Sequence, residues 1–356
     1  MEALRLSDLN TTLVFTAGLI ASSIIAIAVG IAYSLILPGI ERKVQARIQQ
    51  RIGPPILTPG WWSVLKFMYK SKTEPIAQMP RFYKSLVYFG IAIVAFLFLF
   101  TTPYWWSVLG WGSILGIAGL LKLEEVLYVF MGSQSQSILS ATMPVPDLAK
   151  GSKWVGIRRE FIEQHSADRT LKMMAIGSIP LYLALIVPFV AARSVMLSNV
   201  ILVQNAGYHS APWYGIPLPS SPILFTLPGA LAAIVYFLGF IMIMNEKPFS
   251  ILKAKIDVIE GGVLEYAANL RASYYIMRNL LMFALSSIFV TIFLGIPFDP
   301  FTPSMMLLNM LLSLILPVAM SALVAFSPIL TFRQIYPTTI GLSALGVLAM
   351  ILSVSI

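Results

Sequence analysis

Cysteine is absent from the 356 residues, and histidine occurs only as His165 and His209. Without thiolates the chain forms no disulfide and holds no cysteine-ligated iron–sulfur cluster or zinc finger. Two isolated histidines make no His/Cys cluster for a metal or haem. Charge is also scarce. Asp, Glu, Lys and Arg make up 11% of the sequence, against roughly 25% in a soluble domain. Neither a phosphate-cradling GxxxxGK[ST] nor a dinucleotide GxGxxG occurs, and GSQSQS (Gly132–Ser137) lacks the elbow pattern of a serine nucleophile. The chain alone is therefore not expected to carry out redox chemistry or to hydrolyse ATP, and its catalytic residues and cofactors are set at none.

What remains is apolar: 58% of residues are hydrophobic and mean hydropathy is +0.84. Runs long enough to cross a bilayer as helix, about 20 residues, recur along the sequence. The first, Thr12 to Leu37, exceeds the apolar region of a signal peptide and is read as a retained span. The expected fold is an all-α integral membrane protein, one polytopic domain over 1–356. It has about eight transmembrane helices, at 12–37, 84–102, 106–130, 172–192, 222–244, 273–295, 304–326 and 338–355, with amphipathic helices at the cytoplasmic interface. Turn chemistry marks the breaks: Gly53-Pro54-Pro55, Thr102-Pro103, Pro144-Val145-Pro146, Pro297 to Pro303, and Pro337.

Positive charge is distributed unevenly. Loop 1–2 holds nine Lys and Arg, loop 3–4 six, loop 5–6 four and loop 7–8 one, twenty of the chain's 24. The other four are Arg5, Lys122, Arg193 and Arg278. The positive-inside rule places the basic loops in the cytoplasm of a cell membrane protein, with both termini outside. The net charge of +9 then follows from topology, and nucleic acid is not expected as a partner.

The most basic stretch, ERKVQARIQQRIGPP, runs from Glu41 to Pro55. As a helix it would align Lys43, Arg47 and Arg51 in one stripe, with Val44, Ile48 and Ile52 beside it. WWSVLKFMYKSK (Trp61–Lys72) repeats the mix of aromatic and basic residues suited to headgroup depth. Lipid anchoring is one reading. Anionic lipid attracts each basic residue by only about 1 kcal/mol, which does not demand so ordered a block. The sharper reading is a docking face for a soluble partner, made by Glu41, Arg42, Lys43, Arg47 and Arg51.

Charges inside apolar segments carry the most information. LLKLEEVLYVF (Leu120–Phe130) places Lys122, Glu124 and Glu125 in the third helix, and a charge at the bilayer centre costs about 2.5–3.5 kcal/mol on insertion scales. Lys122 and Glu125, three apart, can pair on one face, whereas Glu124 points elsewhere. A buried carboxyl without a partner tends to keep its proton. The alternative is a helix ending near Leu121, with these charges among the headgroups. A second cluster lies in NEKPFSILKAKIDVIEGGVLEY (Asn245–Tyr266), with Lys253, Lys255, Asp257, Glu260 and Glu265 around Gly261-Gly262. That segment reads as an ordered turn or as a solvated surface helix. Loop 3–4, Gly132 to Arg169, is long, and its His165 is expected to be solvated.

Three of these stretches resemble a known family. ERKVQARIQQRIGPP after the first span, NEKPF followed by Glu265-Tyr266, and IFLGIPF closing a later helix resemble the H-type membrane subunit of respiratory complex I and of energy-converting membrane-bound hydrogenases. The resemblance runs from about residue 12 to 300. It implies a subunit joining membrane and cytoplasmic arms. Its partners would be a [NiFe]-hydrogenase-like large subunit, an iron–sulfur small subunit, and antiporter-like and small membrane subunits. Iron–sulfur clusters and a nickel–iron centre would reside in those partners. Lys122, Glu124, Glu125, Lys253, Lys255, Asp257, Glu260 and Glu265 would couple electron transfer to proton or sodium translocation.

The sequence departs from the family where quinone chemistry is usually placed. PFSILKAK stands where PFD-x-x-EAE is usual, Gly177-Ser178-Ile179-Pro180 where S-Y-E often precedes a proline, and Glu265-Tyr266-Ala267-Ala268 where EYSG is usual. The compact RIGPPILTP resembles the hydrogenase branch. Together these point to a quinone-independent hydrogenase or sulfane reductase. The alternatives are a quinone-site subunit of an archaeal or bacterial complex I, a stand-alone secondary transporter and a purely structural anchor.

Overall fold

The computed structural model describes residues 2–71, 74–75, 77, 79–107, 112–135, 162–205, 219, 221–250, 263 and 265–354. Among them every regular element is helical. Among the described residues six helices are long and apolar enough to cross a membrane. Each of the eight segments expected from sequence is occupied by helix, but two fall short of those six. Leu227–Ile243 has 17 residues, about 25 Å at 1.5 Å per residue. Ile114–Gln134 (α5) is long enough at 21 residues but carries three charges at mid-length.

Local chemistry sets the helix starts. Proline stands at the first or second position of Leu37–Ile48 (α2), Thr58–Met68 (α3), Pro80–Leu99 (α4), Ile179–Ala191, Leu227–Ile243 and Pro303–Ser313. There its missing N–H would have had no intrahelical partner. Ser113 caps α5 by accepting from the Gly116 N–H (3.4 Å), and Thr226 caps Leu227–Ile243 by accepting from Gly229 (3.2 Å). IFLGIPF closes the Ala268–Leu294 helix because Gly295 takes a left-handed φ of 71°, which glycine adopts without steric cost. Phe298, fully buried, then turns back to donate its N–H to the Thr101 carbonyl (3.0 Å).

Ala268–Leu294 is the central element. Every residue from Leu280 to Phe293 is buried, as expected of a helix packed on all sides. Around it stand Glu2–Ser34 (α1), α3, α4 and Pro303–Ser313. Tyr33, Phe98, Phe283 and Phe298 form an aromatic cluster with ring centroids 4.9–6.1 Å apart. Ile179–Ala191, Leu227–Ile243 and Phe332–Val354 make a second group, joined to the central helix where the Tyr236 hydroxyl donates to the Leu285 carbonyl (2.8 Å). Asn309 fastens Pro303–Ser313 to the central helix: it accepts from Ser287 (2.7 Å) and donates to the Ile296 carbonyl (2.8 Å).

Several expected boundaries move. The third helix begins at Ile114, after a short 3-10 turn at Pro103–Ser107, and runs to Gln134. It does not end near Leu121. Pro337, expected to mark a break, lies inside Phe332–Val354. The seventh segment is interrupted at Leu314, giving Pro303–Ser313 and Ile315–Phe326. Pro317 lies just beyond and has no N–H for the Ser313 carbonyl.

Candidate functional site

The basic block after the first span is held by two close backbone approaches. A Cβ at Gly39 would stand 1.7 Å from the Ile56 carbonyl oxygen, and one at Gly60 1.8 Å from that of Leu35. Only hydrogen fits there, so α2 is locked against the connection that leads into α3, and α3 against the residue that follows α1. The helix nevertheless stops earlier than the stripe of basic residues requires. α2 ends at Ile48, and Gln50 takes a positive φ of 58°. Lys43 and Arg47 therefore share the helix, while Arg51 lies beyond it and bonds Gln49. Val44 and Ile48 are half-buried, whereas Ile52, expected in the same apolar edge, is 80% exposed. Arg47 and Arg51 are exposed. Arg42 is exposed as well, and it and the half-buried Glu41 border a partly open cavity.

The charges of α5 lie near its middle. Lys122 to Glu125 stand about 12–17 Å from the helix start at 1.5 Å per residue. Glu124 is 1% exposed and Glu125 8%. The expected pair forms: Lys122 Nζ lies 2.7 Å from Glu125 Oε2. The same ammonium donates to the Met174 carbonyl (2.8 Å) and to Ser178 Oγ (2.6 Å), and sits 4.7 Å above the Tyr182 ring. Its two neutral acceptors come from a π-helical turn, Met173–Gly177, and the residue after it, where the helix leading into Ile179–Ala191 is interrupted. The turn and Pro180 disrupt the regular ladder, which releases the Met174 carbonyl toward Lys122. Ser178 serves here as a neutral ligand to the lysine.

A partly open cavity of about 410 Å³ borders the later part of α5, at Tyr128 and Met131. Its wall includes Arg42, Arg271 and Arg278, the carboxylates Glu41 and Glu246, and Tyr128 and Tyr274; Met131, Met244, Met282 and Met320 supply apolar surface. Arg278 projects from the central helix and donates to Tyr128 Oη (3.1 Å) and to the Ile243 carbonyl (3.0 Å). Tyr274 donates to the same Tyr128 oxygen (3.3 Å). A second cavity, about 30 Å³, lies beside Glu124 and Glu125 and is lined also by Ser178 and Met174. Tyr128, Thr170 and Asn245 border both cavities.

The NEKPF…EY segment is partly described. Asn245 and Glu246 face the large cavity. Glu265 is half-buried and borders neither cavity. Its neighbour Tyr266 stacks on Tyr83 at 4.3 Å and donates to the Tyr83 carbonyl (3.0 Å); burial, and then the adjoining Tyr83, hold its hydroxyl above the ordinary tyrosine range. Lys253, Lys255, Asp257, Glu260 and the Gly261-Gly262 turn lie outside the described residues, as does most of loop 3–4, and the His165 side chain is likewise not described.

The sequence pattern points to Lys122, Glu124 and Glu125 and not to Arg278, Tyr128 and Tyr274. Arg278 gave the same signal as Lys122, a charge inside an apolar run. The tyrosines gave none, because a tyrosine on an apolar helix is common. Ser178 and Met174 depend on a π turn that periodicity does not reveal.

The model of the NADH dehydrogenase family matches residues 20–144 and 163–354. An uncharacterized protein of Methanocaldococcus jannaschii is 39% identical over 330 residues, 92% of this chain and 96% of its own length. The H subunit of the NADH-quinone oxidoreductase of Paraburkholderia xenovorans is 25% identical over 264 residues, 72% of this chain and 66% of its own. Among solved structures, a chain of the membrane-bound sulfane sulfur reductase, an archaeal respiratory membrane complex, aligns with a TM-score of 0.73 at 21% identity, covering 94% of this chain and 99% of that one. The chain is a multi-pass membrane protein, and it belongs to the NADH dehydrogenase family.

Proposed function

We propose that this chain is the membrane subunit of a complex I-related, energy-converting oxidoreductase of the hydrogenase or sulfane reductase type. It seats a cytoplasmic redox module and couples electron transfer there to movement of protons or sodium ions. The observation that carries the coupling role is the charged centre of α5: Glu124 and the Lys122–Glu125 pair stand mid-helix, and the two glutamates line a small cavity that shares Tyr128, Thr170 and Asn245 with a larger one bordered by three arginines. Placing charge there is costly, and a plain anchor has no use for it. Support for complex membership comes from the likeness to the H-type subunits of NADH-quinone oxidoreductases and to a chain of a respiratory membrane complex.

On this reading the exposed Arg47 and Arg51, with Lys43, meet the [NiFe]-hydrogenase-like and iron–sulfur subunits, which hold the clusters. The basic loops then face the cytoplasm, and antiporter-like and small membrane subunits adjoin the apolar faces. A change of charge in the docked module acts through low effective dielectric on Glu124 and Glu125, and Lys253, Lys255, Asp257, Glu260 and Glu265 remain candidates for the same response. Purification from native membranes in mild detergent tests membership. Co-purifying nickel–iron and cluster subunits support it; a lone chain refutes it.

The large cavity favours a second reading. About 410 Å³ with aromatic, methionine and arginine walls suits a small-molecule chamber, as a quinone site would need. Insensitivity of the native complex to quinone-site inhibitors would exclude it, and saturable inhibition would support it.

A further inference from the structure

The helix α3 and the two residues after it carry three distinct faces. At about 100° per residue, Gly60, Val64 and Phe67 fall on one side. Gly60 and Val64 are buried and Phe67 is half-buried; Val64 and Phe67 pack with Leu35 and, on the central helix, with Ala272 and Ile276. Trp61, Leu65 and Met68 occupy the next face, followed round the helix by Trp62 and Tyr69. All five are exposed, Trp62 at 63% and Tyr69 at 89%. Lys66 and Lys70 share the third face and are exposed too. Neither has an ion-pair partner among the described residues, and Lys70 Nζ lies 5.5 Å from the centre of the Phe67 ring.

Water is a poor solvent for five large apolar side chains side by side. Eleven residues, about 16 Å of helix, are too few to cross a bilayer. A helix lying in the plane of the membrane interface accommodates all three faces, because their order round the helix is that of the surroundings there: protein, acyl chains, headgroups, water. Trp61, Leu65 and Met68 lie toward the acyl chains. Trp62 and Tyr69, each apolar with a polar tip, sit at headgroup depth, and the lysine stems carry their ammonium groups up to the phosphates. Two observations favour lipid over another protein chain as the cover. Lysine is depleted in protein–protein interfaces. From Arg42 to Thr73, moreover, the sequence has seven Lys and Arg and no Asp or Glu, a charge complementary to anionic lipid.

We propose that α3 is a lipid-binding element, half-immersed in the leaflet that borders the end of α1, with Lys66 and Lys70 holding the phosphate of an anionic lipid. The inference requires only that the chain spans a membrane, and does not depend on the coupling role. It has a consequence for the basic block. The close approaches of Gly60 to the Leu35 carbonyl and of Gly39 to the Ile56 carbonyl leave no slack, so the depth of α3 sets the height of α2 with its Lys43 and Arg47. Lipid gripped by α3 thereby holds that basic face level with the membrane surface.

The full chain, purified from native membranes with its bound subunits and placed in lipid nanodiscs, tests both parts. Leu65, Tyr69 and Lys66 are replaced in turn by p-acetylphenylalanine carrying a spin label, whose relative accessibility to oxygen and to a water-soluble nickel complex reports depth. Oxygen should dominate at position 65 and the nickel complex at 66, with 69 between them. Ready access of the nickel complex to position 65 means open water there, and poor access of both reagents means cover by a subunit or a second copy; either result overturns the immersion. Native mass spectrometry during titration with phosphatidylglycerol tests the headgroup site. The attraction of anionic lipid for a basic residue amounts to about fivefold in affinity, so Lys66→Gln with Lys70→Gln should weaken the tightest phosphatidylglycerol binding by roughly 25-fold. Lys66→Arg with Lys70→Arg should retain it. Both lysines are exposed, so neither pair of substitutions disturbs the fold. An unchanged affinity in the glutamine variant, or an equal loss with phosphatidylcholine, overturns the assignment of the phosphate to these lysines.

Discussion

Replacing Lys122 by methionine removes the charge while keeping most of the stem. In the native structure the ammonium makes three hydrogen bonds, to Glu125, Ser178 and the Met174 carbonyl. Its loss strands Glu125, whose other oxygen already has no partner among the described residues. Breaking a fully buried pair costs about 3–5 kcal/mol, whereas a surface pair is worth about 0–1. This pair lies between those limits, since the Glu125 side chain is 10% exposed and that of Lys122 is 42%. The exposed lysine screens part of the interaction, so about 2 kcal/mol is expected for Lys122→Met alone. Removing the second charge as well, with Glu125→Gln, should recover part of that loss. The double-mutant cycle then gives a coupling energy of about 1–2 kcal/mol. Thermal unfolding of the detergent-purified complex, read for wild type, both single variants and the double variant, supplies the four corners. A coupling energy below about 0.3 kcal/mol, the usual error of additivity, would mean that the two side chains do not sense one another and that the arrangement around the π turn is wrong.

Other consequences are equally specific. Gly39→Ala or Gly60→Ala drives a methyl into a backbone carbonyl that cannot give way, so each should cost at least about 3 kcal/mol and sharply reduce the yield of folded protein; near-native thermal stability in either would refute the close approach. Tyr266→Phe keeps the stack on Tyr83 and loses one hydrogen bond, for a loss of about 1 kcal/mol, whereas Tyr266→Ala should lose about 3–5 kcal/mol; equal melting temperatures for the two would contradict this. Arg278→Lys cannot span both Tyr128 and the Ile243 carbonyl, and should cost about 1–2 kcal/mol; an unchanged melting temperature would show that the fork is not used.

Long, uncharged runs made most of the fold legible, because hydrophobic length is a strong signal and the turn residues punctuate it. Boundaries failed where proline behaved in two ways. Pro337 is accommodated inside a helix, while near Pro180 and Pro317 the regular ladder gives way. Of the site, the Lys122–Glu125 pair followed from three-residue spacing alone. The basic stripe was half right: helical spacing from Lys43 to Arg51 assumed an unbroken helix, and the positive φ at Gln50 ends it. The Arg278–Tyr128–Tyr274 group joins α5 to a helix some 150 residues away, a contact that no local pattern reports.

Ions moved per electron transferred, measured in sealed native vesicles carrying Glu124→Gln with Glu125→Gln, test the coupling role most directly. The substitutions keep shape and remove both carboxyls from the centre of α5. The account predicts that electrons still flow through the assembled complex while little or no ion gradient forms. A gradient equal to that of the wild type, at equal electron flux, would contradict it.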